Sequence, residues 1–238
     1  MENVKSLKEY QLIPKNKRKF YYLETRAMDD VKVSENGEKI EKFKNNYENG
    51  VKIFFEPTNE YAARITVIKK IVKASKYLPE GVYFMLYSGF RPIEVQQRLF
   101  DEIEAEIKNK NPDLEGEALW DEVTRFIADP KGTPPHSTGG AIDLTLCNSQ
   151  GEELDMGTKV DDIDNIPLCA TFAENISDEA KQNRKILFDA MEKVGMVNLP
   201  TEWWHYSYGD RYWAAYNDLD ETLYSARSEK ECPGNYTR

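Results

Sequence analysis

One acidic residue inside an apolar segment constrains the fold of this 238-residue chain more than any other feature. Asp143 stands in the run Ala-Ile-Asp-Leu-Thr-Leu at 141–146, whose other residues favour a buried strand. Burying a carboxylate there is costly unless a cation or hydrogen bonds compensate it. The segment therefore predicts an Asp143 that either binds a metal or is satisfied by backbone amides.

The chain has only two histidines, and both have unusual neighbours. His136 lies in a loop rich in proline and glycine, seven residues before Asp143, and His205 ends the sequence Glu-Trp-Trp-His. Seven extended residues span roughly 23–25 Å, so the chain must fold back for His136 and Asp143 to share one metal. Gly139-Gly140 supplies a backbone that permits this turn. Taken singly, each histidine is more often structural.

Together these residues match the needs of a catalytic zinc site, which takes three nitrogen or oxygen ligands and leaves one position open. His136, Asp143 and His205 complete that set, and Glu202 could act as a general base. On an ideal strand, positions 202 and 205 face opposite sides. The segment after Pro200 must therefore bend if both residues are to reach the metal.

A cationic candidate for stabilising a developing oxyanion is Arg91, which precedes Pro92. A residue before proline is disfavoured in a helix, whereas proline suits the first helical turn. Arg91 is thus expected at the junction of a strand and a helix. An ordinary surface ion pair is the alternative interpretation of this residue.

The predicted helices and strands indicate an α+β fold, for which we expect a small, mainly antiparallel sheet that carries the zinc site and is flanked by helices. We expect a single domain over 1–238, with an irregular N-terminal lead-in over 1–55 that includes an edge strand at 51–55. The catalytic core should span about 60–210. Helices are predicted over 61–77, 92–110, 118–127 and 178–194, strands over 82–87, 141–146 and 203–206, and a hairpin turn at 148–151.

Charge and cysteine content narrow the choice of partners. The 32 basic and 42 acidic residues give a net charge of −10, which opposes nucleic acid or an anionic membrane as a partner. Neither a membrane span nor a signal peptide is visible, so a cytoplasmic location is expected. Three widely spaced cysteines without a CxxC motif predict reduced thiols rather than disulfides.

Several motifs resemble the zinc D-Ala-D-Ala dipeptidases linked to glycopeptide-antibiotic resistance, within the wider D,D-peptidase and Hedgehog-like fold. The resemblance runs from about residue 60 to 210, and the combination of the His-to-Asp and Glu-Trp-Trp-His motifs is highly specific. The matching segments are Gly89-Phe90-Arg91-Pro92, the run from His136 to Leu146, the run from Met156 to Asp161, Asn183-Arg184 and the run from Glu202 to Tyr206.

This resemblance implies a function and a set of roles. His136, Asp143 and His205 would bind one zinc ion, and Glu202 would be the general base for hydrolysis of D-Ala-D-Ala to two D-alanines. Arg91 would stabilise the tetrahedral intermediate. The resemblance further implies that Asp161 holds the free amino group of the small dipeptide substrate. A carboxylate in a closed pocket would then reject longer peptides, whose nitrogen is acylated.

Three positions depart from the family pattern. Pro134 replaces a serine two places before the first zinc histidine, Ser88 replaces an acidic residue, and Leu168-Cys169 replace paired histidines. None of these is a metal ligand, so they bear on substrate preference more than on reaction type. Two alternatives remain open: a D,D- or L,D-carboxypeptidase acting on cell-wall peptides, and a non-catalytic zinc-binding module. The sequence leaves the oligomeric state undetermined.

Overall fold

A computed structural model describes residues 4–23, 25–44, 53–55, 60–162, 165–232 and 234. The strands of this described part are β1 (Val4–Lys5), β2 (Tyr22–Leu23), β3 (Ile40–Lys42), β4 (Ile53–Phe55), β5 (Ala62–Arg64), β6 (Tyr83–Ser88), β7 (Ala141–Cys147), β8 (Val197–Asn198) and β9 (His205–Ser207). The α-helices are α1 (Leu7–Leu12), α2 (Lys15–Arg18), α3 (Ile65–Ala74), α4 (Ile93–Lys110), α5 (Gly116–Val123), α6 (Ile166–Cys169), α7 (Asp178–Glu192) and α8 (Arg211–Tyr216).

The principal sheet has five strands in the order β4-β6-β7-β9-β8. Only the β4–β6 pair is parallel, and the other three pairs are antiparallel. This arrangement confirms the predicted α+β fold with a mainly antiparallel sheet. The strand expected near 51–55 forms an edge of this sheet as β4.

The central strand β7 separates the hydrophobic core from a polar face. All seven of its residues are buried. Ile142, Leu144 and Leu146 belong to the main hydrophobic cluster, which also includes residues of α3 and α7. Because successive side chains of a strand point to opposite faces, Asp143 projects from the other face. The alternation along β7 that directs Ile142, Leu144 and Leu146 into the core therefore directs the Asp143 carboxylate away from the core.

Several predicted elements differ in detail. The helix expected from 61 begins at Ile65, because Ala62–Arg64 pairs with β3 as strand β5 instead. The N-terminal segment expected to be irregular contains β1, α1, α2, β2 and β3. The predicted hairpin turn at 148–151 forms, since the N–H of Gly151 donates to the carbonyl of Asn148, but the strand pairing beyond it is limited to one isolated bridge between Cys147 and Glu153. Residues 200–204 form turns, so the predicted aromatic strand begins only at His205.

Arg64 joins the N-terminal and C-terminal parts of the chain to the loop that precedes β7. Its guanidinium is 1% exposed and donates to the carbonyl of Thr138 at 2.7 Å and to Glu35 at 2.9 Å. It also donates to the carbonyl of Ser225 at 3.2 Å. Burial alone would raise the pKa of Glu35, but the Ser225 N–H and Arg64 outweigh it and lower that pKa to about 2. Glu35 is therefore ionised throughout the physiological range.

All three cysteines are buried free thiols. Within the described residues, none of the helices combines the length and the apolar character needed to cross a bilayer.

Candidate active site

A β-bulge sets the position of the site on the sheet. Leu86 lies opposite Leu144 in the β6–β7 pair, but the next register pair is Ser88 with Asp143. Between these two pairs β6 contains one extra residue relative to β7, which is a β-bulge. Bulges of this kind change the direction of nearby side chains. On the other side of Asp143, strand β9 places His205 directly opposite it. The bulge therefore gives Asp143 a polar neighbour on each adjacent strand.

The loop before β7 brings His136 back to Asp143, as the sequence predicted. Residues His136–Thr138 form one 3-10 turn, which Gly139 ends with a positive φ of 71°. At Gly140, a Cβ would lie 2.5 Å from the carbonyl oxygen of Tyr208. Both glycines are consequently needed for the close return of the chain.

The two histidines and Asp143 form a compact, buried triangle. Nε2 of His136 lies 3.2 Å from Oδ2 of Asp143 and 3.2 Å from Nδ1 of His205. Nδ1 of His205 lies 3.0 Å from Oδ1 of Asp143. Zinc bonds of about 2.0–2.1 Å in a tetrahedron put ligand atoms about 3.3–3.4 Å apart, so these separations suit a single ion.

The chemistry of these donors also fits a cation. Nδ1 of His136 lies 2.9 Å from the carbonyl oxygen of Gly89, which can only accept a hydrogen bond. This nitrogen must therefore carry a proton, so Nε2 is the ring atom whose lone pair is available to a metal ion in the triangle. A lone pair, a carboxylate and a second ring nitrogen crowded within 3.2 Å repel one another unless a metal ion or a proton lies between them.

The charges of the triangle shift its protonation strongly. Burial raises the pKa of Asp143, but the two histidines outweigh this and hold it well below its usual range. Burial lowers the pKa of His205, but the hydrogen bond and charge of Asp143 reverse the shift and raise it to about 9. Asp143 is thus an anion at neutral pH, as a metal ligand must be.

Glu202 reaches the triangle because the chain bends before β9, as expected. Its N–H donates to the carbonyl of Leu199, and its own carbonyl accepts from the N–H of His205. Oε2 of Glu202 lies 3.9 Å from Nδ1 of His205, and the side chain is 39% exposed. Despite this partial exposure, desolvation by the surrounding protein raises the pKa of Glu202 to about 7, and the charge of His205 opposes the shift. A carboxyl that titrates near neutrality can both accept and return a proton.

Arg91 lies at the junction of β6 and α4, where the sequence placed it. Its backbone N–H donates to the carbonyl of His136 at 3.1 Å, and its guanidinium charge acts on Glu202. Nη1 of Arg91 donates to Oε1 of Gln96 at 3.0 Å, and Nε2 of Gln96 donates to the carbonyl of Ala128. Gln96 is 1% exposed, and sequence reasoning missed it because nothing in the helical pattern marks its partner.

Asp161 acts on Glu202 in the opposite sense to Arg91, because its negative charge raises the pKa of Glu202. It is exposed and has a positive φ of 56°. Arg184, 1% exposed, fastens the surrounding segment by donating to the carbonyls of Met156, Leu168 and Ala170. The sequence places Arg184 in a family motif, but its hydrogen bonds to three carbonyls depend on tertiary contacts that the sequence does not reveal.

The departures from the family pattern lie close to this arrangement. Ser88 is 6% exposed, and its hydroxyl has no hydrogen-bond partner among the described residues. Pro134 is buried and accepts from the N–H of Ser137 in the turn that holds His136. Leu168 contributes only its carbonyl to the Arg184 clamp, and the thiol of Cys169 lies 3.8 Å from the hydroxyl of Thr158.

The chain is similar in sequence to a family of peptidases and to individual dipeptidases. A family model described as "D-ala-D-ala dipeptidase" matches residues 45–224. A D-alanyl-D-alanine dipeptidase of Synechocystis sp. is 30% identical over 184 residues, covering 67% of this chain and 74% of that protein. A D-alanyl-D-alanine dipeptidase of Enterococcus faecium is 30% identical over 154 residues, covering 62% of this chain and 73% of that protein.

Among solved structures, VanYB in complex with D-alanine-D-alanine matches 73% of this chain and 87% of its own, with 20% identity and a TM-score of 0.39. The matched range of the family model includes the triangle, Glu202, Arg91 and Asp161.

Proposed function

Because the chain belongs to the D-Ala-D-Ala dipeptidase family of peptidases, we propose that it hydrolyses D-Ala-D-Ala to two molecules of D-alanine. One observation carries this proposal: a carboxyl with a pKa of about 7 lies 3.9 Å from a nitrogen of the buried His136, Asp143 and His205 triangle. A structural metal site has no need of such a proton acceptor. A hydrolase that uses water does need one.

The metal of this proposal is zinc, held by Nε2 of His136, one carboxylate oxygen of Asp143 and Nδ1 of His205. Two histidines and one carboxylate are a ligand set that catalytic zinc uses, with a further position left open. When bound, zinc supplies Lewis acidity that polarises a carbonyl and makes water more acidic. The burial of all three ligands favours a single, well-defined geometry.

Glu202 and Arg91 carry the proton and charge steps. Glu202 takes a proton from the attacking water and returns it to the leaving amine of the second D-alanine. Arg91 stabilises the negative charge that develops on the carbonyl oxygen, and Gln96 holds its guanidinium in place. The hydrogen bond from the backbone N–H of Arg91 to the carbonyl of His136 ties this residue to the loop that carries the metal ligand.

Asp161 recognises the free ammonium of the dipeptide. Its carboxylate is close enough to raise the pKa of Glu202, which fits a substrate whose ammonium lies beside the scissile bond. An N-acylated peptide lacks that charge and leaves Asp161 without its partner. The proposal therefore includes a preference for the free dipeptide over blocked, longer peptides.

The purified protein, with and without a zinc chelator, tests this proposal through release of D-alanine. We expect chelator-sensitive release from D-Ala-D-Ala, and at most weak release from an N-acetylated tripeptide ending in D-Ala-D-Ala. Preference for the blocked tripeptide would instead support a carboxypeptidase. A protein that contains one zinc per chain but cleaves neither substrate would support a non-catalytic metal site.

A further inference from the structure

The side of His205 away from Asp143 contains two buried polar residues to which the mechanism gives no task. Nε2 of His205 lies 3.3 Å from the hydroxyl oxygen of Ser207. Ser207 and Asp210 are both fully buried, at 0% exposure. Gly209, with a φ of 79°, lies in the turn between β9 and α8, directly before Asp210.

Asp210 does more than cap a helix. Its Oδ1 accepts from the N–H of Trp213 at 2.8 Å, which is the usual capping bond at the start of α8. Its Oδ2 is buried and has no hydrogen-bond partner among the described residues. A serine or an asparagine would cap equally well, whereas a buried carboxylate with an unpaired oxygen is costly. The second oxygen therefore calls for its own explanation.

The surroundings of this carboxylate indicate where the second oxygen acts. Burial raises the pKa of the Asp210 carboxyl, and the neighbouring Ser207 hydroxyl is foremost among the groups that lower it. The two histidines of the triangle act on it in the same direction. The Asp210 carboxyl is thus under the influence of the same Ser207 hydroxyl that lies 3.3 Å from Nε2 of His205.

We propose that Ser207 and Asp210 are positioning residues for His205: in the metal-bound protein its Nε2–H donates to the Ser207 hydroxyl, and the hydroxyl proton then fills the vacant acceptor position at Oδ2 of Asp210. This relay rests on the proposed metal site. It fixes the ring so that Nδ1 faces the triangle, and the distant carboxylate makes that nitrogen a better ligand. His136 has a simpler arrangement, because its Nδ1 donates straight to the carbonyl of Gly89. Outer partners of this kind orient metal-binding histidines and strengthen binding.

Two substitutions probe the relay. Asp210→Asn keeps an oxygen for the N–H of Trp213 but turns the second acceptor into a donor, which opposes the Ser207 hydroxyl. Ser207→Ala removes the bridge with a very small change of volume. The matched control is Asp155→Asn, because Oδ2 of Asp155 likewise accepts from a serine hydroxyl, that of Ser177, at 2.7 Å. Its other oxygen accepts from the N–H of Gly157.

Zinc affinity, measured by competition with a chromophoric chelator, is the first readout. We expect each relay variant to bind zinc about 10–100-fold more weakly than the unmodified protein, with Asp155→Asn unchanged. The double variant should be no weaker than the weaker single variant, since either change breaks the same relay. Equal affinity in the unmodified protein, the two single relay variants and the double variant would overturn the relay. Absence of zinc binding by the unmodified protein would instead overturn the proposed metal site.

The second readout is spectroscopic and does not depend on activity. Because the chain has only two histidines, protein labelled with 15N-histidine gives two sets of ring signals. In the zinc-loaded protein, we expect the Nε2–H proton of His205 to be shifted downfield and protected from exchange with water. Both properties should be lost in Ser207→Ala and weakened in Asp210→Asn. An Nε2–H that exchanges rapidly in the unmodified protein would refute the relay.

Discussion

Nη1 of Arg91 lies 3.0 Å from Oε1 of the buried Gln96, one helical turn into α4. The amide of Gln96 is itself held by the carbonyl of Ala128, so the guanidinium has a fixed support.

Replacing Gln96 by leucine should therefore lower kcat while leaving KM nearly unchanged. A hydrogen bond to a charged group contributes about 1.5–3 kcal/mol, which corresponds to a loss of roughly 10–100-fold in rate. Steady-state kinetics on D-Ala-D-Ala measure this loss. Gln97→Leu is the control, because the amide of Gln97 pairs with Asp101 on the exposed side of α4. Equal kcat values in the two variants would contradict the assigned support.

Glu202→Gln should separate chemistry from metal binding. The amide has nearly the same shape as the carboxyl but cannot take a proton, so turnover should fall by about 10²–10⁴-fold. Zinc content should stay near one per chain, because the three ligands are untouched. Metal analysis and kinetics on the same preparation decide the matter. Turnover close to that of the unmodified protein would remove Glu202 from the proposed mechanism.

Activity should fall as the pH drops below neutrality. Glu202 must be ionised to accept a proton, and burial raises its pKa to about 7. A nearby zinc ion favours the carboxylate and lowers this pKa, so the midpoint of the acid limb should lie at or below pH 7. A profile of kcat/KM from pH 5 to 8.5 locates it. A rate constant that does not change between pH 5 and 8 would be incompatible with this role.

The metal-free protein should lose stability as the pH rises from 7 to 8.5. The pKa of His205 is raised to about 9 in the folded protein, above its ordinary value of 6.5. Its protonated form therefore stabilises the fold fully below pH 6.5, and this contribution disappears as the pH rises through 9. Thermal unfolding with and without zinc measures the trend. Calorimetry in buffers of different ionisation enthalpy should also show that zinc binding at pH 7.5 releases about one proton.

Arg184→Met should weaken both the fold and substrate binding. Loss of the guanidinium leaves the carbonyls of Met156, Leu168 and Ala170 short of donors, at a cost of about 2–4 kcal/mol in the free energy of unfolding. Because these carbonyls belong to the chain segments just before and after Asp161, the proposed ammonium-binding residue, KM should rise more than kcat falls. Arg98→Met is the control, since its exposed ion pair with Glu102 contributes at most about 0.5 kcal/mol. Urea unfolding and kinetics on both variants test the difference.

The sequence could predict those parts of the site whose residues are unfavourable in their local setting unless they have a special role. A carboxylate in an apolar strand, a glycine pair before it and a proline-led bend before His205 each break a local rule, so the sequence alone drew attention to them. The bulge that pairs Ser88 with Asp143 was not predictable, because strand register depends on both partners. Gln96 and Asp210 were missed for a similar reason: their partners are identified only by tertiary contacts.

The start of α3 shows the same limit in the fold. Residues 62–64 are two alanines and an arginine, which all favour a helix, and the sequence pattern could not separate them from the helix that follows. Pairing with β3 prevails there, since it satisfies backbone groups that a longer helix would leave beside the N-terminal segment.

The position of Arg64 has a consequence for how this protein can be divided. Glu35, which pairs with Arg64, precedes the family match at 45–224, and Ser225 follows it. Arg64 also holds the carbonyl of Thr138, two residues after the ligand His136. A gene fragment trimmed to the boundaries of the shared family sequence would thus discard both anchors of the arginine and leave a buried cation unpaired against the ligand loop. Residues on both sides of the family match therefore support, through Arg64, the loop that carries the ligand His136.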